Sequence, residues 1–244
     1  MAAAAAAALL LLLLLPDTSS AQPLRLAVDT AAGAHQPFPH IWEATGWCPP
    51  DMEGSALAMH NYSMQEASWQ NHALIRAVPN QGLRVVRIHS MLNLVTLNAG
   101  HAVAHPLPPS AYNWTLLDAL LDMVAGEHQL RLGFEIMGNP RLNSSARTGV
   151  YTSWGAPEQL EGWRSMVQAL AQRYMQRFGA DAVSQWRWET WNEPDHGCSH
   201  KKQMNAGIDC DQESWLGYWD ACAEGLRTAG ASHGARLTFG GERS

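Results

Sequence analysis

Gln185-Trp186-Arg187-Trp188-Glu189-Thr190-Trp191-Asn192-Glu193-Pro194-Asp195 reads as a buried strand that stops at an edge rich in polar groups. Period-two alternation puts Arg187, Glu189, Trp191 and Glu193 on one face. Pro194 lacks the N–H that a central ladder needs, so the ladder is expected to run as far as Glu193 and end there. Four other apolar runs have the length of strands: residues 41–45, 83–89, 130–138 and 236–240, beside 183–192 for the run just quoted. Between them lie helical stripes. Residues 157–178 carry Leu160, Trp163, Met166, Val167, Leu170 and Tyr174 at helical spacing, with Pro157 at the start and Gly179 after the end. Residues 115–127 (Leu117, Leu120, Leu121, Val124) and 212–228 (Trp215, Tyr218, Trp219, Cys222, Leu226) repeat the pattern, and 63–77 is a less regular helix. Strand and helix alternate without a tandem repeat, which specifies an α/β fold with a parallel sheet.

Two folds satisfy that alternation. A doubly wound sheet needs only five strands, but no Gly-x-Gly-x-x-Gly follows the first one, and Pro49 and Pro50 in Gly46-Trp47-Cys48-Pro49-Pro50 lack the N–H groups of a phosphate loop. A (β/α)8 TIM barrel fits better. At about 50 residues per unit, eight units need roughly 400 residues, within the range of barrels with insertions. The 244 residues supply strands 1–5, about half of such a barrel.

Composition narrows the function. Sixteen Lys and Arg against 22 Asp and Glu give a net charge of −6 with no basic patch, which argues against a nucleic-acid partner. Eleven Trp suit a large core or platforms for flat ligands such as sugar rings. Residues 1–21 read as a signal peptide: Met1, seven Ala and the run Leu9 to Leu15 precede small residues at Ser19 and Ala21. The apolar run is short for a bilayer span, so no membrane attachment is expected after its removal. Residues 22–38 form a leading strand and linker, and 39–244 the barrel segment. The secretory route agrees with three sequons at Asn61, Asn113 and Asn143, of which Asn113 precedes a helix start. His196, Cys198, His200 and Cys210 lack the spacing of a metal site, so no metal or cofactor is expected. Cys198 and Cys210 suit a disulfide better, and Cys222 lies on the core stripe of its helix.

The chemistry gathers at residues 192–195. At the C-terminal end of a parallel barrel strand Glu193 stands where such folds act, with Asn192 able to bond a hydroxyl. Trp191 is expected to wall the carboxyl and favour its protonated form, which glycoside cleavage needs to protonate a leaving alkoxide. Glu189, about 13 Å away along an extended strand, is too far to complete a carboxylate pair, and Glu135 reads as a positioning or structural carboxylate.

Glu189-Thr190-Trp191-Asn192-Glu193-Pro194-Asp195 resembles the acid/base motif of the retaining Asn-Glu barrel clan, and the wider match is to glycoside hydrolase family 39. Ala44-Thr45-Gly46-Trp47-Cys48-Pro49-Pro50, Val86-Arg87-Ile88-His89, Gly133-Phe134-Glu135-Ile136-Met137-Gly138 and Tyr218-Trp219-Asp220-Ala221-Cys222 support it. The resemblance implies an exo-acting retaining hydrolase of the lysosome that removes terminal α-L-iduronic acid from dermatan sulfate and heparan sulfate, its glycosaminoglycan partners. It implies Glu193 as acid/base, Asn192 and His89 as substrate contacts, and Pro49 and Asp51 as pocket lining. The resemblance also implies a binding histidine between Asp51 and Ser63 that the sequence does not place, with His60 an unassigned candidate. The family's nucleophile is a Glu near the end of the seventh strand, which this sequence does not reach, so the isolated chain is expected to be inactive. A non-catalytic product that binds sugar or the full-length enzyme, or another clan activity such as a β-xylosidase, are the alternatives.

Overall fold

The computed structural model describes residues 42–49, 54–101, 103–194 and 211–240. Five strands, β1 (Ala44–Trp47), β2 (Val85–Ile88), β5 (Arg131–Glu135), β6 (Arg187–Glu189) and β7 (Thr238–Gly240), form one sheet in the order β1-β2-β5-β6-β7. Every pairing in it is parallel. The order never reverses. A doubly wound sheet must reverse at its switch point, whereas a barrel wall adds each strand beside the last, so the topology is that of a (β/α)8 barrel. The remaining two strands, β3 (Thr96–Leu97) and β4 (Tyr112–Asn113), make a small antiparallel pair in the connection after β2, which the alternation pattern did not reveal.

Between the strands run α1 (Ala56–Ser63), α2 (Glu66–Arg76), α3 (Thr115–Leu121), α4 (Pro157–Phe178), the short α5 (Ala180–Val183) and α6 (Gln212–Ser232). The helix expected over 63–77 is α2, which starts at Glu66; α1 precedes it, ends at Ser63 and was not expected. Helix α3 continues as a π-helical turn over Asp122–Glu127, within the expected 115–127. The α4 stripe is buried as read, except that Leu160 is only half-buried. The π-helical turn and α3 are tied to α4 by Arg177 Nε–Asp122 Oδ1 at 2.6 Å and Arg173 Nε–Asp118 Oδ1 at 2.9 Å. Helices α4 and α6 pack at the distance Gly225 allows: a Cβ there would lie 2.6 Å from the Arg164 carbonyl oxygen. Asp211 opens α6 with a capping box, its carboxylate accepting the Ser214 N–H at 2.8 Å. Those bonds hold the Asp211 carboxyl below the usual range.

Register sorts the two faces of the sheet. Trp47, Ile88, Phe134, Trp188 and Phe239 lie level and face the helices. Trp47 packs against His72 of α2 at 4.9 Å between ring centres, and Phe239 against Trp219 of α6 at 5.0 Å. Gly46, Arg87, Gly133, Arg187 and Thr238 form the layer facing the barrel axis, and Glu135, Glu189 and Gly240 the layer above it. The strand expected over 183–192 is shorter at both ends. Val183 ends α5, because Ala-Asp-Ala-Val after Gly179 prefers helix, and the ladder stops at Glu189 rather than Glu193.

Candidate active site

At the C-terminal ends of the strands the axial face sets the Arg87 cation among three acceptors. Arg87 Nε donates to Glu189 Oε2 at 2.6 Å and Arg87 Nη2 to Asn192 Oδ1 at 3.2 Å. The same guanidinium pairs with Glu135, whose side chain is wholly buried. Burial works against the charge on Arg87, but the Glu189 and Glu135 carboxylates outweigh it, so the guanidinium pKa lies above its ordinary value. Glu135 Oε2 also lies 2.6 Å from His89 Nδ1, at hydrogen-bond distance. Gly133 makes this crossing possible. It sits level with Arg87 on the next strand, and a Cβ there would meet Arg87 Cβ at 3.0 Å and Cα at 3.1 Å. Below, Arg187 Nη2 donates to Glu43 Oε1 at 2.6 Å, and Arg84 pairs with the same carboxylate.

Arg87 is the residue that the sequence quoted without a role. A charged residue between Val86 and Ile88 on an otherwise apolar strand, in step with His89 at period two, was the available signal. His89 is half-buried, just past β2, and its backbone N–H meets the Trp47 carbonyl at 3.4 Å.

Asn192 and Glu193 follow the last paired residues of β6. The Ile136 N–H reaches the Glu189 carbonyl at 2.8 Å, and the Thr190 N–H reaches that of Gly240 at 3.3 Å, after which the chain turns. Glu193 is exposed and adopts a φ of +48°, the left-handed region that few residues other than glycine enter. Alternation therefore does not carry the Glu189 face as far as Glu193. Trp191 is buried and packs edge-on against Trp154 at 5.2 Å, within a cluster that includes Trp215 and Tyr218 of α6. It braces the rim from the helix side instead of sharing the axial face with Glu189.

Pro49 is buried at the end of β1, and Asp51 lies outside the described residues. His60 is half-buried on α1. Asn61 and Asn143 are exposed and Asn113 is half-buried. Asn113 Oδ1 accepts the Thr115 N–H at 3.0 Å, and Asn143 Oδ1 the Ser145 N–H at the same distance. His196, Cys198, His200, Cys210 and residues 1–41 lie outside the described residues. Among the described residues no three His, Cys, Asp or Glu come together as metal ligands, and no helix is long and apolar enough to cross a membrane. Cys222 is buried on α6 as read, with its thiol pKa pushed up by burial.

The family model for Glycosyl hydrolases family 39 matches residues 25–243. The α-L-iduronidase of Mus musculus is 39% identical over 210 residues, 85% of this chain and 29% of that protein. The α-L-iduronidase of Homo sapiens is 36% identical over 216 residues, 88% of this chain and 29% of that protein. The chain thus spans about three-tenths of the length of these curated relatives. Among solved structures, the bacterial orthologue of human α-L-iduronidase superposes with a TM-score of 0.64 at 30% identity, over 86% of this chain and 28% of that one.

Proposed function

The chain belongs to glycosyl hydrolases family 39, and from that premise we propose that it carries the acid/base half of an exo-acting, retaining α-L-iduronidase site. In this reading Glu193 protonates the leaving oxygen and then, as the base, activates water. Asn192, its oxygen held by Arg87, bonds the sugar beside the scissile bond, and His89 bonds it from the next strand but one. Pro49 and Asp51 line the mouth. The substrates are dermatan sulfate and heparan sulfate, met in the lysosome after secretory entry led by residues 1–21, with glycan on Asn113, Asn61 and Asn143. The second carboxylate of the retaining pair comes from a barrel strand other than these five, since Glu135 and Glu189 are both committed to Arg87.

One observation supports the reading above the rest. Glu193 is an exposed carboxylate directly after an amide that the axial cation grips, at the strand ends where barrels do their chemistry. The test is Glu193→Gln in a version of the protein with all eight strands, assayed on fluorogenic α-L-iduronide and β-xyloside at pH 4–5. Iduronide turnover is expected to fall by about 10²–10⁴ with the fold retained. Unchanged turnover would remove Glu193 from the role, and xyloside turnover in its place would change the substrate. Glycan occupancy is checked by intact mass before and after enzymatic deglycosylation, where an unshifted mass would refute it.

A further inference from the structure

Glu135 has no exposed surface, yet its carboxylate meets Arg87 and His89, two residues apart on the neighbouring strand. A buried carboxylate without a countercharge is costly, and Arg87 supplies one. That pairing would be complete without His89. The 2.6 Å contact to His89 Nδ1 needs a separate account.

A neutral imidazole has one N–H and one bare nitrogen, and the partner of one nitrogen fixes the state of the other. An ionised carboxylate only accepts, so a ring facing it across 2.6 Å keeps its proton on Nδ1. We propose that Glu135 is a positioning residue: it fixes the Nδ1–H tautomer of His89 and so turns Nε2 to the rim as a hydrogen-bond acceptor for a ligand hydroxyl. Arg87 keeps the Glu135 carboxylate in place while it holds Asn192, so one buried group sets the state of one rim residue and, through the guanidinium, the position of another. That the ligand is a sugar rests on the function proposed above. The tautomer does not.

The test is nitrogen-15 NMR of the histidine-labelled eight-strand version at pH 8, where an ordinary imidazole is neutral. The His89 signals are assigned by their loss in His89→Gln. In the unaltered protein the proton is expected on Nδ1. In Glu135→Gln the amide has a single oxygen, and the charged guanidinium takes it. The amide NH2 then faces His89 Nδ1, and the proton is expected to move to Nε2. Glu135→Asp keeps an acceptor on both sides and is expected to keep the proton on Nδ1. A proton on Nε2 in the unaltered protein, or on Nδ1 in Glu135→Gln, overturns the assignment. If Glu135→Gln does not fold, a proton on Nε2 in the unaltered protein or in Glu135→Asp still overturns the assignment. A shift as expected, in a protein whose eight-strand version leaves iduronide untouched, upholds the role of Glu135 and rejects the proposed substrate.

Discussion

Arg87 reaches Glu135, Glu189 and Asn192 only because Gly133, level with it on β5, offers no side chain in its path. Two substitutions separate the space from the charge. Gly133→Ala places a Cβ against Arg87 Cβ and Cα, and overpacking of that kind costs about 1–3 kcal/mol. Arg87→Met leaves Glu135 buried without its cation, for which about 3–5 kcal/mol is the expected loss. Urea midpoints on the same preparation check the order; an Arg87→Met midpoint equal to that of the unaltered protein would show that Arg87 matters to the fold by its bulk alone. The places of Asn192 and His89 were readable in the sequence, because they follow from strand ends. That of Trp191 was not. Alternation holds only while the ladder lasts, and the ladder stops two residues before the indole.

Helices α4 and α6 pack against each other with Gly225 over the Arg164 carbonyl and Trp163 edge-on to Tyr218 at 5.0 Å. Gly225→Ala has no flexible side chain to displace, only backbone, so the helices must part. A loss of about 1–3 kcal/mol is expected, read as a lower melting temperature; an unchanged melt would mean the helices slide freely past one another. Elements of this length were legible because their stripes repeat over many turns, as Trp163, Met166, Val167, Leu170 and Tyr174 do. The two-residue strands β3 and β4 were not. Thr96–Leu97 and Tyr112–Asn113 are too short for a period to register, and they pair through contacts made only after the chain folds. Helix α1 was missed for a related reason: residues 56–63 carry no clear apolar stripe, and Ser55 caps them by accepting the Ala58 N–H at 3.2 Å.

As a whole, the described sheet has β1 paired only with β2 and β7 paired only with β6. Each therefore offers one unpaired edge, and edges of parallel sheets readily join other chains. The 244-residue chain, tested alone, is expected to elute as aggregate or chaperone-bound material without iduronide turnover. A monodisperse chain that melts cooperatively and cleaves iduronide would refute this. The barrel itself was legible from the alternation of strand and helix; that the sheet runs without reversal could be seen only once the strands were placed side by side. The same assembly carries its own optical gauge. Trp154, Trp191 and Trp215 stand with their rings 5.2 and 5.5 Å apart where α6 meets the rim. Fixed indoles so close give near-ultraviolet dichroism that vanishes when packing loosens while helices persist. Loss of that band ahead of the far-ultraviolet signal would report the moment Asn192 and Glu193 lose their footing, with no substrate present.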